Sequence, residues 1–112
     1  MNFNVESLPA FEREAKQLGK KYKSLQTDLL NLVLSLEQNP QQGTPLGNGF
    51  FKIRLAIKSK GKGKSGGARV ITFIKVVQTT VYLASIYDKS KKTSITDNEL
   101  KFLAIEISKF IK

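Results

Sequence analysis

The stretch FFKIRLAIK, residues 50–58, marks the point where the hydrophobic period of the chain changes from helical to strand-like. Its apolar side chains at positions 51, 53, 55 and 57 alternate with Lys52, Arg54, Ala56 and Lys58. Because successive side chains of a strand point to opposite faces, this alternation predicts a β-strand with one apolar and one largely basic face.

Two amphipathic helices are predicted before this strand. The first begins near Pro9, which is tolerated in a first helical turn, and Gly19 is its predicted stop. The second follows Ser24, carries leucines at positions 25, 29, 32 and 36, and ends at Asn39-Pro40. Two heptads are too short for a coiled-coil dimer, so we expect the helices to form a hairpin with a shared apolar seam.

The remaining segments complete the predicted fold. NFNV near the N-terminus, ARVITFIKVV at 68–77 and TTVYLASIY at 79–87 have the composition of strands, with a tight hairpin between the last two. Thr96 to Glu99 form a capping box that opens a final helix. The predicted order is β-αα-βββ-α, an α+β fold whose small, mainly antiparallel sheet is covered by helices on one face. We expect residues 1–112 to form a single domain.

The positive charge of the protein is concentrated in one segment. Residues 50–92 contain eleven of the nineteen Lys and Arg residues and a single acid, Asp88, so the whole formal net charge of +10 falls within them. Lysines that served only solubility would be scattered over the chain. The segregation favours a polyanion-binding surface, and RNA or DNA over a membrane, because no basic amphipathic helix carries the charge.

Composition excludes several classes of chemistry. The absence of Cys and His removes disulfides, thiolate nucleophiles, zinc-thiolate sites and the usual general base. The lack of Cys is also typical of a reducing cytosol. No apolar run predicts a membrane span or a signal peptide. The carboxylates, among them Glu14 and Asp28, are interpreted as solvated helix and cap positions, and Asp88 and Asp97 as too isolated for a metal site.

The segment KSKGKGKSGGAR, residues 58–69, is the most basic part of the chain. Its GKS triplet at 63–65 resembles a phosphate-binding P-loop, but that motif requires a glycine where Lys58 stands and a helix where a strand is predicted. The nucleotide-triphosphate hypothesis is therefore rejected. One alternative is a flexible, solvated hairpin tip. The other is a mobile basic loop beside a cationic strand face formed by Lys52, Arg54 and Arg69, which suits an RNA backbone.

The segments FFKIRLAIKSKGKGKSGGARVITF and VYLASIYDKSKKTSIT together resemble the RelE/ParE superfamily of bacterial toxins, and within it the HigB-like branch. The resemblance spans residues 2–105 and includes an aromatic-Lys-Ile-Arg strand, a GKGK-x-GG-x-R loop and an IY-x-K strand end. RelE-like and HigB-like members cut messenger RNA, mostly on the ribosome, whereas ParE-like members poison DNA gyrase on the same fold. The resemblance implies a toxin of a type II toxin–antitoxin pair.

The resemblance also implies roles for individual residues. Lys52 and Arg54 match a basic pair that contacts the scissile region of the RNA, and Arg69 matches an arginine that faces the scissile phosphate. Lys89 and Tyr87 lie at the end of the last core strand. RelE has a tyrosine near its C-terminus, which this chain lacks, and Tyr87 is the nearest phenol. The alternative role of Tyr87 is packing in the core. The other cations expected to bind RNA are Lys58, Lys60, Lys62, Lys64, Lys91 and Lys92.

RNA cleavage is possible without His because the 2′-hydroxyl of RNA is itself the nucleophile. Arg54 and Arg69 are expected to hold the phosphate oxygens. Lys52 or a desolvated neighbouring lysine is the candidate base, because crowding among like charges lowers the pKa of a lysine. Lys89 or Tyr87 is the candidate proton donor. We expect a metal-independent endoribonuclease without a cofactor.

The expected partners are messenger RNA, the ribosome and a HigA-like helix-turn-helix antitoxin from a neighbouring gene, in the bacterial cytoplasm. No membrane partner is expected, and operator DNA is expected to be bound only through the complex with the antitoxin. Two alternatives stay open: a gyrase poison without nuclease activity, and a non-catalytic RNA-binding module. Clustering of Lys52, Arg54 and Arg69 on the sheet face opposite the helical hairpin, together with a cut that depends on the 2′-hydroxyl, would favour the nuclease.

Overall fold

The computed structural model describes residues 2–111. Its strands form one sheet in the order β1-β5-β4-β3-β2, with β1 parallel to β5 and the other pairs antiparallel. The predicted α+β class and mainly antiparallel sheet are confirmed. In chain order the elements are β1 (Asn4–Ser7), α1 (Pro9–Lys21), α2 (Leu25–Gln38), β2 (Thr44–Gly47), β3 (Phe50–Leu55), a 3₁₀ turn (Lys58–Lys60), β4 (Ala68–Lys75), a 3₁₀ turn (Val76–Gln78), β5 (Thr80–Asp88) and α3 (Asp97–Phe110).

Different helices pack on the two faces of the sheet. Val70 of β4 packs in a buried cluster with Leu36 of α2, so the helical hairpin lies over this face. Ile71, the next residue, packs with Leu103 and Ile107 of α3 on the other face. The expectation that the helices cover one face is therefore wrong for α3. The central strands are apolar on both faces, and burying both requires a helix on each side.

Strand β2 is not predicted from the sequence and lies between the second predicted helix and the strand that begins at Phe50. It pairs with the first half of β3, from Phe50 to Lys52. Gly47, Asn48 and Gly49 all have positive φ, which lets the chain reverse tightly into β3. Because β2 reaches only Lys52, the second half of β3 has no strand beside it on that side within residues 2–111.

Helix α1 runs through Gly19 to Lys21, so the predicted stop at Gly19 is wrong. A glycine costs only about 1 kcal/mol inside a helix, which the packing of the helix outweighs. The predicted capping box of α3 is confirmed, with Thr96 accepting from the Glu99 N–H and the Glu99 carboxylate accepting from the Thr96 N–H. No helix within residues 2–111 combines the length and hydropathy that crossing a bilayer requires.

Glu14 on α1 lies beside the part of the β5 edge that extends past the end of β1. Its carboxylate accepts hydrogen bonds from the Ser85 hydroxyl at 3.1 Å and from the Ile86 N–H at 3.3 Å. Burial raises the pKa of Glu14, and the bonds from Ser85 and Ile86 oppose the rise. The interpretation of Glu14 as a solvated acid is wrong, because this carboxylate satisfies a strand edge that lacks a strand partner.

Candidate nucleic-acid interface

Three of the sequence-predicted catalytic residues are direct neighbours across three strands. Arg54 of β3 pairs with Arg69 of β4, and Arg69 pairs with Tyr87 of β5. Side chains of such cross-strand pairs share a face, with Cβ atoms about 4.5–5.5 Å apart. Lys52 lies two residues from Arg54 and therefore on the same face. This face is opposite the helical hairpin, so Lys52, Arg54 and Arg69 lie on the face that the sequence analysis expects.

The two arginines differ in their access to solvent. Arg54 is exposed, whereas Arg69 is only 5% exposed. The Arg69 guanidinium donates to the carbonyl of Lys64 at 2.9 Å and to that of Ala68 at 3.1 Å. Lys64 lies in the loop between β3 and β4, so this loop both carries charge and covers Arg69. A phosphate that binds Arg69 must either displace the Lys64 carbonyl or use the guanidinium donors that Lys64 and Ala68 leave unbound.

Tyr87 is buried beside Arg69, and its hydroxyl has no hydrogen-bond partner of normal geometry within residues 2–111. Burial raises the pKa of this hydroxyl, although the Arg69 charge and the Ile95 N–H oppose the rise. The phenol is therefore protonated at neutral pH. Its ring packs in the apolar cluster under α3, and the Lys92 ammonium lies 5.1 Å from the ring centre. Tyr87 thus has a packing role and also a free donor beside the arginines.

An open cleft of about 500 Å³ lies along the part of β3 that β2 leaves uncovered. Asp28 and Asn31 of α2 line one part of it, and Arg69 and Tyr87 do not line it. Asp28 is buried, where it accepts from the Ser24 hydroxyl at 2.8 Å and from the Lys58 N–H at 3.1 Å. Its interpretation as a solvated acid is therefore wrong. The cations of the cleft are Lys52, Arg54, Lys58 and Lys64.

Asp88 is the centre of a buried hydrogen-bond network at the end of β5. Its carboxylate accepts from the Lys60 ammonium at 2.8 Å, the Tyr22 hydroxyl at 2.7 Å and the Ser90 hydroxyl at 2.7 Å. The charged side chains of Lys60 and Asp88 are only 9% and 3% exposed. The expectation that Lys60 is a free RNA-binding cation is therefore wrong.

The pairing shifts both partners towards their charged forms. Burial alone would raise the pKa of Asp88, but the hydrogen bonds from Lys60, Tyr22 and Ser90 outweigh it and hold this pKa well below the usual Asp range. Burial alone would likewise lower the pKa of Lys60, but Asp88 raises it above the usual Lys value. Lys60 therefore acts as a charged anchor of the loop.

The loop between β3 and β4 is fixed at its base and exposed at its tip. At the base, the Ser59 N–H donates to the Ser24 hydroxyl at 2.8 Å, and the Lys89 N–H donates to the Gly67 carbonyl at 3.0 Å. At the tip, Lys62 and Lys64 are exposed between glycines at 61, 63 and 66. The interpretation as a solvated tip therefore fits the exposed residues 61–65, although the Lys64 carbonyl is bound by Arg69.

The last predicted cations have mixed surroundings. The Lys89 ammonium donates to the Thr93 carbonyl at 2.8 Å. Lys92 is half-buried and forms an ion pair with Glu99, whereas Lys91 is exposed. Within residues 2–111 no three acidic side chains come together in a way that could hold a metal ion.

Sequence reasoning missed Tyr22, Ser24 and Asp88 as residues that support the site. Tyr22 and Asp88 are 66 residues apart, so no local pattern connects them. One signal was available, because Asp88 is the single acid of the basic segment 50–92. A lone carboxylate among so many cations is a natural partner for one of them.

The whole of this fold and most of the chain have counterparts among known proteins. A sequence model described as "RelE toxin of RelE / RelB toxin-antitoxin system" matches residues 9–111. A mutant of the E. coli toxin RelE in its free state is 14% identical, with all of both chains covered and a TM-score of 0.61. The isolated E. coli RelE toxin is 12% identical over 92% of this chain and 97% of that one, with a TM-score of 0.59.

A further structural relative is the RelBE2 toxin–antitoxin complex of Mycobacterium tuberculosis. It is 18% identical over 79% of this chain and 92% of that one, with a TM-score of 0.57. At these identities the structures show a common fold. Together with the match to the sequence model, this fold and its basic face define a class of protein, the toxins of toxin–antitoxin pairs. The chain belongs to the RelE toxin family. The HigB-like branch stays a prediction.

Proposed function

We propose that this chain is a ribosome-dependent messenger RNA endonuclease, held inactive in the bacterial cytoplasm by an antitoxin from a neighbouring gene. The observation that supports it most directly is the row of Arg54, Arg69 and Tyr87 across three strands, with Lys52 beside it. Neither a gyrase poison nor a passive RNA-binding module requires two arginines and a protonated phenol to be direct neighbours on one face of the sheet.

Each step of RNA cleavage is assigned to a residue of this row or to Lys52 beside it. Arg54 and Arg69 bind the non-bridging phosphate oxygens and stabilise the charge that develops on the phosphorane. Lys52, acting as base, takes the proton of the attacking 2′-hydroxyl. Tyr87 gives a proton to the leaving 5′-oxygen. We favour Tyr87 over Lys89 for this step because the phenol is protonated and has a free donor, whereas the Lys89 ammonium is bound to a carbonyl.

The burial of Arg69 favours a substrate held by a larger assembly. Arg69 is only 5% exposed and is bound to the Lys64 carbonyl, so free RNA must both reach a buried guanidinium and align its own phosphate. An assembly that positions the RNA supplies that alignment in advance, which is worth a large part of the barrier. The M. tuberculosis relative was solved as a toxin–antitoxin complex, which supports an antitoxin partner here. A HigA-like antitoxin is part of the proposal.

Expression of the chain alone in bacteria is expected to arrest growth. Primer extension should then show new messenger RNA ends within translated regions only, because the ribosome supplies the substrate. A copy of the gene with an early stop codon is the matched control. Growth arrest with intact messenger RNA and broken chromosomal DNA would contradict the proposal and favour a gyrase poison.

The loop tip is expected to contribute long-range attraction to RNA. Lys62→Ala combined with Lys64→Ala should lower the slope of log affinity against log salt by about 0.7 for each lost phosphate contact on a single strand. The fold should be retained because both side chains are exposed. Lys101→Ala with Lys109→Ala, which removes the same charge from α3, is the control. Equal slopes for the two double variants would show that the tip has no specific role.

A further inference from the structure

A second basic surface lies outside the segment that holds the net charge. Residues 15–27 contain four lysines and no acid, although the chain outside residues 50–92 is neutral overall. All four side chains are exposed, and none forms an ion pair with the residues that the structure describes. We call them the turn cluster, because they lie at the end of α1 and in the turn to α2. Its members are Lys16, Lys20, Lys21 and Lys23.

Tertiary contacts place the turn cluster directly beside the basic loop. Ser24 and Ser59 are hydrogen-bonded through their hydroxyls at 3.0 Å, and the Ser59 N–H donates to the Ser24 hydroxyl at 2.8 Å. The ring of Tyr22 has the Lys21 ammonium 5.4 Å from its centre and the Lys60 ammonium at 5.1 Å. Two basic segments about 35 residues apart in the chain therefore form one continuous surface.

The turn cluster borders a groove of about 410 Å³ between α1 and α2. Lys16, Lys20 and Lys23 line this groove, and its lining contains no carboxylate. Lys16 and Lys20 are one helical turn apart, about 5–6 Å between Cβ atoms. The floor of the groove is apolar and is formed by Ala15, Leu25 and Leu29, and the lysines stand at its rim. Ammonium groups in such a row suit a chain of phosphates, which needs charge but no fixed geometry.

We propose that the turn cluster is a second RNA-binding site, which contacts the phosphate backbone of the strand that continues from the loop. The proposal rests on the proposed function and extends it, because it assigns a longer footprint to the RNA. An acidic amphipathic protein segment is the other class of ligand for such a groove. RNA is favoured because the turn cluster is continuous with the basic loop, and a phosphate backbone can follow both segments in succession. The turn cluster acts through affinity only, since it lies on the hairpin side of the molecule, away from Arg69.

The test compares Lys16→Ala/Lys20→Ala/Lys23→Ala with Lys75→Ala/Lys101→Ala/Lys109→Ala. Both variants lose three exposed lysines, and the second set lies on β4 and α3. For a single-stranded RNA of about 30 nucleotides, the first variant should lose about 2 units of log–log salt slope, at about 0.7 per contact. For an RNA of about 6 nucleotides, near the lower limit of known single-strand sites, it should bind like the wild type. The cleavage rate at saturating substrate should be unchanged.

Several results would overturn the inference. The same slope for both variants would mean that only net charge matters. A variant of the turn cluster that binds the long RNA normally, but no longer binds the co-expressed antitoxin, would assign this surface to a protein partner. Failure of the wild type to cleave messenger RNA on purified ribosomes would refute the proposed nuclease instead, and a slope difference between the variants would then still support the second site.

Discussion

Arg69→Ala should abolish both growth arrest and the new messenger RNA ends. Arg69 lies between Arg54 and Tyr87 in the cross-strand row, where a fork of N–H donors can stabilise charge that develops only in the transition state. Loss of one such donor costs about 2.7–4 kcal/mol, or roughly 10²–10³-fold in rate. Single-turnover cleavage of messenger RNA on purified ribosomes measures this loss directly.

Two controls separate catalysis by Arg69 from a role in folding. Arg69→Lys keeps the charge but loses the fork of donors, so we expect only partial recovery of the rate. Circular dichroism and antitoxin binding should be retained in both variants. Lys52→Ala should cost less than Arg69→Ala if neighbouring lysines can share the role of base. Wild-type cleavage by Arg69→Ala would refute the assignment of the row as the catalytic site.

Asp88→Ala should produce the largest loss of stability. The variant leaves the Lys60 ammonium buried without its carboxylate, which costs about 3–5 kcal/mol in the free energy of unfolding. Urea denaturation followed by circular dichroism measures the change. Tyr22→Phe, which removes one hydrogen bond to the same carboxylate, should cost about 1.5 kcal/mol. If Asp88→Ala does not fold, the smaller Tyr22→Phe effect still tests the network.

Lys92→Ala is the matched control for the Lys60–Asp88 ion pair. It breaks the ion pair between Lys92 and Glu99, whose side chains are both partly exposed. Breaking such a pair should cost no more than about 1 kcal/mol. A loss for Asp88→Ala as small as the loss for Lys92→Ala would contradict the anchoring role of Lys60.

The pH dependence of stability follows from the same pair. The pKa of Asp88 is lower in the folded protein than its usual value of 3.8, so its contribution is complete above that pH and is lost as the pH falls. The pKa of Lys60 is higher than its usual value of 10.5, so its contribution is complete below that pH and is lost as the pH rises. As the pH falls below 3.8, Asp88→Ala should therefore lose less free energy of unfolding than the wild type does.

Local patterns in the sequence were sufficient for part of the candidate site. The alternation in FFKIRLAIK assigns Lys52 and Arg54 to the face away from the hairpin, because the period of two holds for a strand whatever its neighbours are. The Thr96 capping box was equally local, since it uses groups only three residues apart. Strand β2 was missed because four residues flanked by turn-forming glycines carry almost no periodic signal.

The sequence by itself determined the α+β class, the helical hairpin and the basic face of β3, because these depend on periodicity and motifs within short segments. Only the tertiary structure decided that Arg54, Arg69 and Tyr87 form one row, since cross-strand register depends on how three separate strands align. It also decided that Lys60 is buried against Asp88 while Lys62 remains exposed. The two lysines look equivalent in the loop sequence, and only a carboxylate 28 residues further along the chain distinguishes them.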